Sequence, residues 1–274
     1  MKNVTFLTTN KCNFSCNHCF SSSGIKLADE LNYEQQVEAI HKLKQLGTER
    51  IVFSGGEPLL YKDIYRLISI AKSEGLKVSI LTNASLLFEQ AVGKSKNLEI
   101  YNMAVSLYSM DISNFETNKH SRYISTILRN LMNLDRSGIK FKITIPVTNY
   151  NEDFIYDILE KIFTIHLQPI KIRFYIVTSV GRCANNLDLL LEHERWTKII
   201  ENIETITKKH NYEDIYFEVN YSNDKKLYEG CMVKEYSEEH MIYSADPHLN
   251  ANGDLPSILP YHNSMGSKTL FDSF

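Results

Sequence analysis

Cys12-Asn13-Phe14-Ser15-Cys16-Asn17-His18-Cys19 follows a short strand-like segment, Val4-Thr5-Phe6-Leu7-Thr8. The C-x3-C-x2-C spacing offers three thiolates from one loop, enough to hold three corners of a cubane [4Fe–4S] cluster. No fourth cysteine stands nearby, so one iron is left open for another ligand. A structural zinc site with His18 as fourth donor is the competing reading. His18 lies between two of the cysteines, however, and closed zinc sites generally draw two ligands from each of two loops. Downstream, Ser54-Gly55-Gly56-Glu57-Pro58 leaves a second predicted strand, Ile51-Val52-Phe53. Alone, Gly55 to Pro58 is a common turn sequence. In this order, each directly after a strand, the two segments reinforce one another.

Working outward, strand and helix alternate, the pattern of a parallel sheet wrapped by helices. Asn32 is placed to cap a helix from Tyr33 to about Leu46, with Val37, Ile40, Leu43 and Leu46 on one face. Further helices are expected at about Lys62–Ser73, Phe88–Lys94, Tyr123–Ser137 and Asp153–Ile165. Strands are expected at Lys77–Leu81, Tyr101–Leu107, Ile139–Val147 and Ile170–Val177. Six units are too few for a closed eight-fold barrel. The expected fold is α/β, an open (β/α)6 partial TIM barrel over 1–186 with a small C-terminal α+β extension over 187–274. Ligands of such folds gather at the C-terminal strand ends, where the cysteine loop and the Gly55–Pro58 segment both fall.

The chain has 274 residues, 43% of them hydrophobic, ample for a large core. A net charge of -3 gives no basic field for general nucleic-acid binding and no polybasic membrane anchor. No run reaches the length of a membrane span, and no signal-peptide pattern precedes the first strand. Five cysteines without a disulfide-like framework point to a reducing cytoplasm.

Together, the Cys triplet and Gly55-Gly56-Glu57-Pro58 resemble the radical S-adenosylmethionine (radical SAM) superfamily. The resemblance implies an oxygen-sensitive enzyme with one [4Fe–4S] cluster on Cys12, Cys16 and Cys19, and SAM chelated at the open iron. It implies reductive cleavage of SAM to a 5′-deoxyadenosyl radical that abstracts hydrogen from a substrate. Gly55, Gly56, Glu57 and Pro58 would flank the SAM amino group, the glycines letting backbone approach the ligand. Glu57 would either contact SAM or make structural hydrogen bonds. His18 stands where the family most often has an aromatic residue, to stack on adenine or shield the cluster. Asn83 resembles a Thr-Asn-Gly segment, with Ala84 where the glycine would be. Ser106 matches a serine facing the methionine carboxylate or ribose, and Lys119, with Arg122 close behind, is the candidate carboxylate-binding cation. The run Phe174 to Arg182, Val177 included, resembles a sixth strand end whose backbone flanks adenine.

The tail resembles the SPASM or twitch extension of the peptide-maturase branch, but Ile258 stands where an auxiliary-cluster cysteine would be and Cys231 is left alone. One cluster is therefore expected. Without a second, redox-neutral outcomes such as epimerisation gain weight, with Cys183 or Cys231 as hydrogen donor. The expected substrate is a ribosomally made peptide being crosslinked, epimerised or otherwise modified. A small metabolite (nucleoside, sugar or amino acid) is the alternative, and a non-enzymatic metal-binding protein a third reading. Implied partners are a reductant such as flavodoxin or ferredoxin. No leader-binding domain is expected before the barrel, which leaves the tail or a separate leader-peptide-binding protein to recognise a peptide.

Overall fold

The computed structural model describes residues 3–108, 124–177, 179–212 and 215–219, with short strands at 248–249, 254–255 and 268–269. Six strands run parallel in chain order: β1 (Asn3–Leu7), β2 (Arg50–Ser54), β3 (Lys77–Thr82), β4 (Asn102–Ser106), β5 (Phe141–Val147) and β6 (Lys171–Ile176). Between them run α1 (Tyr33–Gln45), α2 (Ile64–Ser73), α3 (Glu89–Asn97), α4 (Ile124–Ser137) and α5 (Ile155–Thr164). Beyond β6, α6 (His193–His210) leads to β7 (Ile215–Val219), which joins the sheet parallel to β6. The two-residue β8 (His248–Leu249) pairs with β1 at the other edge, so the sheet stays open, a (β/α)6 partial barrel. Residues past 187 thus extend both edges of the sheet. The remaining strands, β9 (Asp254–Leu255) and β10 (Lys268–Thr269), form a separate antiparallel pair.

Alternation along each strand decides which face meets the helices. Phe6, Phe53, Ile80, Met103 and Phe141 form one continuous row across β1 to β5. All are buried in a single core with Ile40 and Leu43 of α1, Leu67 and Ile68 of α2, and Leu131 and Leu134 of α4. Each such side chain contributes about 1.5–3 kcal/mol by leaving water. The neighbouring positions therefore point to the opposite, concave face, into the lumen. The expected cap of α1 is present: Asn32 accepts from Gln35 N–H and Gln35 reaches back to Asn32 N–H.

Candidate functional site

The cysteine loop is fastened from two sides. On one side it extends the β1–β2 pairing: Thr8 N–H donates to Ser54 O (3.0 Å), Gly56 N–H to Thr9 O (2.7 Å) and Glu57 N–H to Lys11 O (2.9 Å). A Cβ at Gly55, which has φ +137°, would collide with Thr9 O, and one at Gly56 with Lys11 O. The close approach that demands glycine here is chain on chain. The sequence reading assigned it to a ligand; the contact that excludes a side chain is the cysteine loop's own backbone.

On the other side the turn after β6 closes over the loop. Arg182 donates through Nη1 to Cys16 O (2.6 Å), through Nη2 to Ser23 O, and through its backbone N–H to Cys19 O (2.9 Å). Gly181 has φ +62°, and a Cβ there would meet Phe20 O and Cys19 O. Glu30 supports the base of the loop, accepting from Thr9 Oγ1 (2.9 Å) and Asn10 N–H (2.8 Å).

Burial pushes the Cys12 thiol up to about 11, with the charges of Glu57 and Cys19 adding to it. Cys16 rises to about 12, again chiefly by burial, then through Cys19 and Cys12; Arg182 opposes this. The three sulfurs thus influence one another across one small site. N–H groups already face two of them, from Phe14 to Cys12 Sγ (3.3 Å) and from Ser23 to Cys19 Sγ (3.3 Å). Among the described residues no trio of His, Cys, Asp and Glu is close enough to chelate a single ion. A cubane spreads its thiolates over three irons, so its ligands stand further apart than donors on one ion. Three half-buried thiols in one loop, with burial keeping the protons on Cys12 and Cys16 until a cation arrives and with sulfur-directed N–H groups in place, fit a [4Fe–4S] cluster.

Glu57 ties the ends of β2 and β3 together. Fully buried, its carboxylate accepts from Leu59 N–H (3.1 Å), Thr82 Oγ1–H (2.8 Å) and Asn83 N–H (2.8 Å). Burial outweighs those bonds and lifts its pKa to about 7. The unfolded carboxyl loses its proton near 4.5, so the folded state binds more protons between that pH and about 7. Stability therefore falls as pH rises through this window, by up to about 3 kcal/mol, and levels off above it. Denaturant unfolding of wild type and Glu57→Gln at about pH 5 and pH 8 checks this. The variant should show a flatter pH dependence; equal slopes would reject the assignment.

Asn83 lies beside Cys12. Its Nδ2 donates to Asn13 Oδ1 (3.1 Å) and approaches Cys12 Sγ (3.9 Å), while its Oδ1 accepts from Ser85 Oγ (2.6 Å). Asn13 Nδ2 donates to Ser85 Oγ (2.8 Å). Ala84 adopts the left-handed φ of +58° that a glycine would favour, and its carbonyl accepts from the buried Asn130 of α4 (2.7 Å). His18 stacks on Tyr108, with ring centroids 4.7 Å apart and planes at 16°. Tyr108 Oη is within 2.8 Å of Thr148 Oγ1, and burial raises its pKa to about 12.

Ser106 ends β4, half-buried on the concave face beside Thr144. Pro58, buried, opens a single 3-10 turn, 58–60. Val177 and Cys183 sit in a small buried cluster with Leu189. Cys183 is wholly buried and its thiol faces Asn186 O (3.7 Å), the setting of a small packed hydrophobe. That placement gives no support to a hydrogen-donor role. Lys119, Arg122 and Cys231 lie outside the described residues. The sequence reading missed Tyr108 and the Arg182 clamp. Arg182 was read only as part of a sixth strand end, and its side-chain partners are 159 and 166 residues away.

The sequence profile of the Radical SAM superfamily matches residues 6–162. This chain belongs to that superfamily, whose members are enzymes that use a [4Fe–4S] cluster and SAM. It is 31% identical over 198 residues to the Fe-coproporphyrin III synthase of Methanosarcina barkeri, covering 70% of this chain and 48% of that protein. It is 30% identical over 156 residues to the GTP 3′,8-cyclase of Synechocystis (56% and 47%). Against the sporulation killing factor maturation protein SkfB of Bacillus subtilis it is 26% identical over 157 residues (57% and 38%). The chain thus spans about half the length of these relatives, or less. In fold it resembles Streptococcus suis SuiB solved with precursor peptide SuiA, at a TM-score of 0.76 and 18% identity, over 98% of this chain and 62% of that one. Among the described residues no helix is long and apolar enough to cross a membrane.

Proposed function

We propose that this chain reductively cleaves SAM and uses the resulting radical to modify a ribosomally made peptide. The observation that carries the reading is the fastening of the Cys12–Cys19 loop onto Gly56 and Glu57 on one side and Arg182 on the other. Such a frame holds three thiolates at the mouth of the barrel, the ligand-binding end of this fold class. When bound, the reduced cluster would supply one electron to the SAM sulfonium, so that its C5′–S bond breaks to give methionine and a hydrogen-abstracting 5′-deoxyadenosyl radical.

The chain's own residues hold and shield. Cys12, Cys16 and Cys19 would ligate iron; Asn83 and the Phe14 and Ser23 N–H groups would steady the sulfurs. Glu57 fixes the β2 and β3 ends on which a SAM amino group would rest. Ser106 faces the lumen from β4, and the stacked His18–Tyr108 pair offers an aromatic surface beside the loop for adenine.

The peptide reading draws support from SuiB with its precursor peptide and from the maturation protein SkfB. A small-molecule reading is favoured by the 30% identity to a GTP 3′,8-cyclase. Anaerobic reconstitution, dithionite reduction and SAM, read by mass spectrometry, test the shared chemistry. Wild type should load about four irons per chain and release 5′-deoxyadenosine, and Cys16→Ala should do neither. Tight zinc binding without a cluster would overturn the reading, and about eight irons would overturn the single cluster.

A further inference from the structure

At the mouth, side chains join the ends of β4 and β5 where the sheet no longer does. Leu107 N–H donates to Thr144 O (2.9 Å). Two residues past Thr144 stands Pro146, which has no N–H with which to carry the ladder on. Asn151 bridges the gap. Wholly buried, it donates through Nδ2 to Pro146 O (2.7 Å) and to Tyr108 O (3.2 Å). Its Oδ1 accepts from Thr148 N–H (2.8 Å) and from Thr148 Oγ1–H (3.2 Å). Both hydrogens and both lone-pair directions of the amide are used, and the two carbonyls facing Nδ2 fix which way round it lies.

This arrangement gives the next bond a direction. Thr148 is also wholly buried, and its one hydroxyl hydrogen goes to Asn151. Tyr108 Oη, 2.8 Å from Thr148 Oγ1, therefore donates its phenolic hydrogen to Thr148. At its other end Tyr108 stacks its ring on His18 of the cysteine loop. That loop leaves β1, and two strands separate β1 from β4, about 14 Å on strand spacing. Tyr108 is thus a strut at the mouth, tied to the end of β5 by a hydrogen bond of fixed polarity and to the cysteine loop by a ring stack. Two torsions orient a tyrosine ring, and the Thr148 bond removes freedom that the stack alone would leave.

We propose that Thr148, oriented by Asn151, is a positioning residue for SAM. By holding the Tyr108 phenol it sets the tilt of the His18 ring against which adenine rests. This rests on the function proposed above and deepens it.

Removing Asn151 would strip these buried hydrogen bonds together and endanger the fold, so the test uses gentler changes. Wild type, Thr148→Val, Thr148→Ser and Tyr108→Phe are reconstituted anaerobically and titrated with SAM by calorimetry. Thr148→Val and Tyr108→Phe should each weaken SAM binding about fivefold, the worth of one net hydrogen bond. The double variant should bind no more weakly than either single one, because both break the same bond. Thr148→Ser keeps the hydroxyl and should restore binding to about the wild-type value. Iron content should match wild type throughout. The electron paramagnetic resonance spectrum of the reduced cluster at saturating SAM should also be unchanged, since the methionine end still meets the open iron.

A merely structural role predicts a lower melting temperature with an unchanged SAM dissociation constant, and that result overturns the proposal. So do additive losses in the double variant, a Thr148→Ser protein that binds as weakly as Thr148→Val, or an altered cluster spectrum. The two readings fail distinguishably. A wild-type protein that loads its cluster but binds no SAM sinks the function and the positioning role together. A wild-type protein that binds SAM no better than Thr148→Val and Tyr108→Phe sinks the positioning role alone.

Discussion

Gly56→Ala is expected to abolish iron loading and to lower the melting temperature of the apoprotein by about 6–12 °C. The new Cβ would meet the Lys11 carbonyl, and backbone on both sides leaves nothing flexible to yield. Relief requires parting the cysteine loop from β2, which breaks the Gly56-to-Thr9 and Glu57-to-Lys11 hydrogen bonds. Two such bonds and the displaced packing amount to about 3 kcal/mol. The loop then no longer holds its three thiols together, so the loss in cluster assembly exceeds the loss in fold stability. Gly93→Ala is the matched control. Gly93 lies inside α3, where an added Cβ meets nothing within 4 Å, so the substitution should raise stability by about 0.5–1 kcal/mol. Iron content after reconstitution and differential scanning fluorimetry separate the two. A Gly56→Ala protein with wild-type iron content would show that the fastening to β2 is dispensable.

The contrast between these glycines shows what the sequence could tell. Cys12, Cys16, Cys19 and the Gly55–Pro58 segment were legible because local spacing carries their chemistry. The strand–helix order was legible because Phe53 or Ile143 alternates with a non-core neighbour while Ile64, Leu67, Ile68 and Ala71 recur at helical spacing. Contacts closed only by the fold were not legible. Glu57 could be read as a ligand contact or a structural acid; its bonds to Thr82 and Asn83 favour the structural role, and they depend on β2 and β3 lying side by side. Cys183 invited a chemical reading through its residue type, and burial beside Val177 and Leu189 withdraws the support for it.

Arg182→Ala is expected to cost about 3 kcal/mol, to reduce iron loading severely, and to move the reduction potential of any cluster that forms to a more negative value. Arg182 joins the last βα turn to the first, through two guanidinium hydrogen bonds to carbonyls of the cysteine loop. Hydrogen bonds involving a charged partner contribute about 1.5–3 kcal/mol each, and truncation leaves the Cys16 and Ser23 carbonyls without them. The potential moves for a separate reason. Among the described residues the guanidinium acts on the Cys16 thiol as a positive charge, opposing the other cysteines. Removing it makes adding an electron to an anionic cluster harder. Arg182→Lys separates the effects: it keeps the charge but, lacking the planar fork, cannot hold both carbonyls at once. Its potential should stay near wild type while its iron content falls between wild type and Arg182→Ala. Anaerobic redox titration followed by electron paramagnetic resonance, with iron quantitation on the same samples, reads both quantities. If Arg182→Ala matches wild type in iron and in potential, the turn after β6 does not act on the cluster loop. If potential falls equally in Arg182→Lys, loop geometry rather than charge sets it.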